Sequence, residues 1–490
     1  MFWFIIYVQR TKIYPKNNNI VYYKNERIDI MSTIDIKSLD KNASIHFVGI
    51  GGISMSGIAE IMLKRGFKVS GSDRSKTHIT DRLEKLGAVV YEGQRAENVN
   101  GASLVVYTAA VKSDNPELTA AKEASVPTMN RAEFLGSLMK EYPEAIGIAG
   151  THGKTTTTSI LTHALLKAGT DATVSIGGEL DLIGGNVRAG NSSYFLTEAC
   201  EYTNSFLSFF PKIAVITNIE EDHLDFFKNI EEIRESFLKF ALLTKGKGAV
   251  IACGDDENIK LALEGHGLNL HYYGLSEDAE YTAANIVYSD GLPSFDVLKN
   301  GIVITHIDLS VPGEHNIKNA LASIAVCVEL GLDLDVCAEG ISEFYGTKRR
   351  FERKGTLNGA VLMDDYAHHP TEIKATIEAA KRLKKSKIRV VFQPHTYSRT
   401  RTLWNDFVKC FDGVDELILA DIYPAREVFD GVTKSENLAN DIKEHGTNVI
   451  YIDSFDKIIS YLNATASENE LIFTMGAGDV VKIAEVLATK

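Results

Sequence analysis

Ile146-Gly147-Ile148-Ala149-Gly150-Thr151-His152-Gly153-Lys154-Thr155-Thr156-Thr157 carries an apolar β-branched run through a glycine loop into a helix-compatible run. Strand, glycine loop and helix start in that order predict a phosphate-binding loop in an α/β sheet. Gly150 and Gly153 permit positive φ and bring backbone N–H groups against phosphate oxygens, while the following helix offers its positive end. Lys154 is placed to bridge β- and γ-phosphates, and Thr155 to set its hydroxyl on Mg²⁺. The pattern departs from the usual one at its first glycine, where Ile148 stands, so an ordinary glycine turn is the alternative reading.

Outward from this loop, from Ser44 on, short β-branched runs alternate with helical stretches, the pattern of parallel sheets covered by helices. It predicts an α/β protein of three domains. Strand candidates at 45–48, 68–71 and 104–107, with a helix carrying Ile53, Ile58, Ile61 and Met62, make an N-terminal Rossmann-like domain over 44–141. The loop belongs to a central P-loop-type ATPase sheet over 142–345, with strands at 146–149, 194–197, 213–217 and 249–252. After the basic cluster Lys348-Arg349-Arg350 comes a C-terminal Rossmann-like domain over 346–490, with strands at 361–363, 388–392, 416–419 and 471–474. Residues 1–43 read as an N-terminal extension. Its first 30 residues lack periodicity, which makes Met31 the expected native start.

Bulk properties agree with several ordinary cores. The 490 residues exceed what one core usually supports, and 44% of them are apolar. A net charge of -13 opposes nucleic acid and anionic membrane as partners, so phosphate binding must be local. The five cysteines are scattered singly, without zinc-like spacing, which points to reduced thiols and a cytoplasmic protein. The run Phe2-Trp3-Phe4-Ile5-Ile6-Tyr7-Val8 is too short to span a bilayer.

Further motifs sit at predicted carboxyl ends of strands, where doubly wound sheets bind ligands. Glu198 closes one strand and His223 follows another. A carboxylate suits Mg²⁺ and a neutral imidazole a second ion, although Glu201, Glu220, Glu221 or Asp222 would serve as well. Asn316 and Asn319 lie one turn apart near a helix start, as amides for an adenine edge or as caps. Gly49-Ile50-Gly51-Gly52-Ile53-Ser54, with Asp73 closing the next strand, resembles a dinucleotide fingerprint. Ser54 in the third glycine's place argues for a nucleotide diphosphate over NAD. In the last domain, Asp365-Tyr366-Ala367-His368-His369 and Arg399 follow strands. Arg399 offers a planar fork to a carboxylate. Adjacent His368 and His369 in extended chain point apart, which disfavours a metal shared between them.

Taken together, these segments resemble the Mur ligase family from Ser44 to the end. The likeness rests on Gly49-Ile50-Gly51-Gly52, Gly71-Ser72-Asp73, Gly150 to Thr156, Glu198-Ala199, Asn218-Ile219-Glu220 with Asp222-His223, His315-Asn316 with Asn319, Arg349-Arg350-Phe351, Asp364-Asp365-Tyr366 with His368-His369-Pro370, and Met475 to Asp479. It implies an ATP- and Mg²⁺-dependent ligase of peptidoglycan precursor synthesis, joining L-alanine to the lactyl carboxylate of UDP-N-acetylmuramate through an acyl phosphate. It implies that Gly150, Thr151, His152, Gly153, Lys154, Thr155, Thr156, His315, Asn316, Asn319, Arg350 and Asp365 meet ATP. Gly49, Gly51, Gly52, Ser72 and Asp73 would meet the UDP-sugar, and Tyr366, His368 and Arg399 the acceptor or amino acid. Thr155, Glu198 and His223 would hold metal. Lys154, Glu198, His223, Arg350 and His368 carry the implied catalysis, with His223 or His368 taking the amine's proton. A monomer or weak homodimer is expected. Two positions depart from the commonest form: Gln94, where histidine is frequent, and Thr396, where many members carry a second arginine. The alternatives are a murein tripeptide ligase and, from another class, an NAD-dependent oxidoreductase.

Overall fold

In the computed structural model, residues 36–488 are described except positions 41, 109, 225 and 247, so the proposed start at Met31 and residues 1–35 of the expected extension lie outside the described residues. Three sheets organise the rest. The first contains β1 (Ser44–Val48), β2 (Lys68–Asp73), β3 (Val89–Glu92), β4 (Leu104–Tyr107) and β5 (Thr128–Asn130), in the order β3-β2-β1-β4-β5. All its pairings are parallel. The helix Ile53–Lys64 buries Ile58, Ile61 and Met62, whereas Ile53, its first residue, is half exposed at the ligand edge.

The central sheet contains β6 (Glu144–Ala149), β7 (Thr173–Leu180), β8 (Gly185–Arg188), β9 (Tyr194–Glu198), β10 (Ile213–Ile216), β11 (Ala249–Cys253), β12 (Leu270–Tyr273), β13 (Tyr281–Ser289), β14 (Leu292–Lys299) and β15 (Ile302–Asp308). Their order is β15-β14-β13-β12-β11-β10-β6-β9-β7-β8. The middle strands are parallel and almost wholly buried, as apolar runs covered on both faces must be. The edges are not parallel. β7 and β8 form an antiparallel pair, and β13, β14 and β15 an antiparallel meander. Asp290-Gly291 and Asn300-Gly301 connect that meander with positive φ at all four residues (50, 83, 50 and 78°), the requirement of tight hairpin turns. β14 buries every second residue, as a sheet with one wet face does.

The third sheet contains β16 (Glu352–Leu357), β17 (Ala360–Asp365), β18 (Lys387–Phe392), β19 (Glu416–Leu419), β20 (Val449–Tyr451) and β21 (Glu470–Met475), in the order β16-β17-β21-β18-β19-β20. β16 alone runs antiparallel. Apolar clusters fill both faces, one around Phe392, Phe407 and Phe473, the other around Leu362, Ile418 and Ile483. Among the described residues no helix is long and apolar enough to cross a membrane.

Candidate active site

The register of the central sheet decides where the site forms. Gly150 leaves β6 between β9 and β10, where Ile148 faces Glu198 and Ala149 faces Ile216. Strand pairing therefore makes the phosphate loop, Glu198 and Thr217 neighbours at the carboxyl edge. Gly150 has φ 144° and Gly153 φ 82°, backbone conformations that side chains resist. The Thr217 hydroxyl donates to the His152 carbonyl at 2.5 Å, and Asn218 Oδ1 accepts the His152 N–H at 2.7 Å. These bonds strap the loop to the next strand.

Lys154 folds back over this loop. Its ammonium donates to the carbonyls of Gly150 and Thr151 and pairs with Glu201 at 3.0 Å. Burial works against its charge, but the Glu201 carboxylate holds its pKa above the ordinary lysine value. Glu201 also stands 3.5 Å from His223, which has φ 55° and packs on the Tyr202 ring at 4.6 Å. Glu198 is served by neutral donors instead, the Gly177 N–H at 2.6 Å and the Thr155 hydroxyl, and burial pushes its carboxyl above the usual range. A half-buried carboxylate bonded to a threonine hydroxyl is an oxygen donor set that a hard dication satisfies, so Mg²⁺ fits here. The structure brings Thr155 and Glu198 together and turns His223 toward Glu201.

A cavity of about 720 Å³ lies between this edge and the third sheet, a size that suits a nucleotide. His152, Gly153, Thr156, His315, Asn316, Asn319, Arg350 and Asp365 line it, while Gly150, Thr151, Lys154, Thr155, Glu198 and His223 do not. His315 is an exposed side chain on the cavity wall. Asn316 donates to the Pro312 carbonyl at 2.7 Å and Asn319 to Asn316 Oδ1 at 3.0 Å. Asn319 Oδ1 also accepts the Thr157 hydroxyl at 3.1 Å, so each amide makes two local bonds and one N–H of each is left for the cavity. Asp365 accepts the N–H groups of Phe351 and Ala367, and burial raises its pKa to about 6.

From the third sheet, Arg350 lies over the Tyr366 ring at 5.1 Å and 3.6 Å from Glu372. Arg399, the expected carboxylate clamp, grips a carboxylate of the protein itself: its Nη2 donates to Asp222 at 2.9 Å. His368 and His369 do point apart. His368 Nδ1 lies 3.2 Å from Glu372, while the His369 ring packs against His152 at 4.6 Å. Sequence reading missed Glu372, which also stands 3.2 Å from His152 Nδ1. Burial alone would raise its pKa, but His368 and His152 hold it well below the usual range. Its one sequence signal was its position, three residues after His369 at the start of the helix Pro370–Lys381, where a capping box forms. A capping position predicts a local role and says nothing of contacts across sheets.

In the first sheet, Gly49 has φ 83° and the Gly51 N–H donates to Asp73 Oδ2 at 2.8 Å. Gly52 caps the helix Ile53–Lys64 without a side-chain bond, leaving its N-terminus free for an anion. Ser72 is buried and its hydroxyl donates to Glu117 at 2.6 Å. Gln94 accepts from Asn115 at 2.6 Å.

Comparison with known proteins agrees with this geometry. Residues 44–143 match the model of the Mur ligase family catalytic domain, 148–327 the Mur ligase middle domain and 349–478 the Mur ligase glutamate ligase domain. A UDP-N-acetylmuramate--L-alanine ligase of Acetivibrio thermocellus is 51% identical over 458 residues, 93% of this chain and 98% of the relative. That of Clostridium tetani is 50% identical over 443 residues, 90% and 97% of the two chains. The crystal structure of the UDP-N-acetylmuramate-alanine ligase of Thermotoga maritima superposes with a TM-score of 0.76 at 31% identity, covering 91% of this chain and 98% of that one. A murein peptide ligase of Psychrobacter arcticus, 24% identical with a TM-score of 0.67, shares the fold. With matches to all three family models and half its residues shared with ligases over nine-tenths of its length, the chain belongs to the Mur ligase family.

Proposed function

We propose that this chain joins L-alanine to the lactyl carboxylate of UDP-N-acetylmuramate at the cost of one ATP, in cytoplasmic peptidoglycan precursor synthesis. The carrying observation is the phosphate loop with Glu198 bonded to Thr155 at its edge, beside a cavity lined by His152 and Gly153 of the loop and by Arg350 of the third sheet. The UDP-N-acetylmuramate--L-alanine ligases that share about half their residues with this chain support the substrates. The 24% identity to a murein peptide ligase supports the fold alone, and membership of a ligase family sets the oxidoreductase alternative aside.

A carboxylate does not accept an amine directly, because oxide is a hopeless leaving group. The lactyl carboxylate therefore attacks the γ-phosphate of ATP, giving an acyl phosphate and ADP. In this reading Lys154 leaves Glu201 for the phosphates, and Arg350 leaves Glu372 for the terminal one. Thr155 and Glu198 would hold Mg²⁺, which would supply charge neutralisation, and His223 would hold a second ion. Together such contacts are worth several kcal/mol in the transition state. Asn316, Asn319 and His315 meet adenine, and Asp365 accepts from the ribose. Gly51, Gly52 and Asp73 seat the UDP moiety. L-Alanine's carboxylate displaces Asp222 from Arg399, and its amine attacks the acyl carbon as phosphate leaves. His223 or His368 takes the proton, and Tyr366 borders the acceptor.

The test is release of ADP and phosphate, measured with a panel of amino acids. Turnover should require both UDP-N-acetylmuramate and L-alanine. Turnover with an intact tripeptide and not with alanine would replace this reading by the recycling ligase.

A further inference from the structure

His152 of the phosphate loop, Glu220 after β10 and His369 at the N-cap of the helix Pro370–Lys381 place one ligand atom each within 4.8 Å of one another. Two of these segments belong to the central sheet and one to the third. Glu372, 3.2 Å from His152 Nδ1, takes that ring N–H. His152 Nε2 is left buried without a hydrogen-bond partner, 3.6 Å from Glu220. An imidazole oriented by a carboxylate on one nitrogen, with the other aimed at an imidazole and a carboxylate, is how metal-ligating histidines are held.

We propose that His152, Glu220 and His369 form a site for a transition-metal dication of the zinc type, separate from the Thr155 and Glu198 pair, and that an ion there clamps the phosphate loop to the third sheet. Two imidazoles and one carboxylate with a fourth position open suit zinc, whereas Mg²⁺ prefers oxygen ligands alone. A cavity of about 430 Å³ lined by Glu220 and His369 gives an entry path. The bonds that must yield are long: His369 Nε2 to the Glu221 carbonyl and the Thr371 N–H to His369 Nδ1, each 3.3 Å. A ligase whose sheets separate to release product is inhibited by such a clamp. The site stands on its own geometry and does not depend on which amino acid is ligated.

The full-length protein, in excess Mg²⁺ to fill hard-cation sites, is titrated with Co²⁺ and followed by visible absorption. Melting is recorded with and without Zn²⁺. One ion per chain with the intense band of a four-coordinate site is expected, together with a higher melting temperature. His369→Asn keeps a helix-capping side chain, and Glu220→Gln keeps an acceptor for the Thr371 hydroxyl. Each should weaken Co²⁺ binding by at least about tenfold, the loss that even outer-shell changes cause. Both readouts are independent of turnover, and if one variant fails to melt cooperatively the other decides. Absence of the band in the wild type, or wild-type affinity in a folded variant, overturns the proposal. Binding at a surface histidine such as His306 beside Asp296 would produce that second result.

Discussion

Gly150→Ala should disable the phosphate loop by a mechanism that can be isolated. A Cβ there would stand 1.9 Å from Thr217 Oγ1 and 3.1 Å from Thr217 N and Cβ. Thr217 has little room to yield, because its N–H donates to the Ala149 carbonyl at 3.0 Å and its hydroxyl to His152. Overpacking of this kind costs about 1–3 kcal/mol, and holding a side chain at φ 144° costs about as much again. The sum, roughly 2–6 kcal/mol, corresponds to about 30-fold to 10⁴-fold in ATP affinity if the loop must be restored to bind phosphate. Calorimetry with ATP and steady-state phosphate release measure it, with UDP-N-acetylmuramate binding as the control. In a Thr217→Ala background the 1.9 Å contact is gone, so the glycine substitution should recover about 1–3 kcal/mol. ATP binding by Gly150→Ala within about twofold of wild type, or no recovery in the double variant, refutes the steric account.

Three further outcomes are expected. Lys154→Ala should lower phosphate release by at least about 10²-fold while calorimetry finds UDP-N-acetylmuramate binding intact; loss of both together would contradict separate sites. Asp222→Ala leaves the Arg399 guanidinium unpaired, both side chains being less than 15% exposed (11 and 14%), so stability should fall by about 3 kcal/mol in thermal melts. Removing Arg399 as well should restore part of that loss, and strictly additive losses would count against the pair. Asp365, raised to about 6 from 3.8, stabilises the fold below pH 3.8 and loses that contribution as pH rises through 6. Relative to Asp365→Asn, wild type should lose about 2 kcal/mol between pH 4 and 7, over a constant offset for altered hydrogen bonds. A flat difference in urea unfolding across that range would show that burial does not raise this carboxyl.

The amino-acid sequence by itself determined the middle of each sheet and the chemistry of the loop. β6, β9, β10 and β18 are buried on both faces, so their apolar runs announce them, and Gly150 and Gly153 are required wherever backbone must approach phosphate. The hairpin edges carry their own signal in Asp290-Gly291 and Asn300-Gly301, which alternation of parallel strands with helices does not capture. Only the tertiary structure decided the pairings across the cavity: Arg399 with Asp222, His152 with Glu372 and Lys154 with Glu201. A local pattern specifies which face of an element is apolar. It does not specify which charge on a distant segment will desolvate beside it, because that choice depends on how the sheets pack and on each side chain's loss of water.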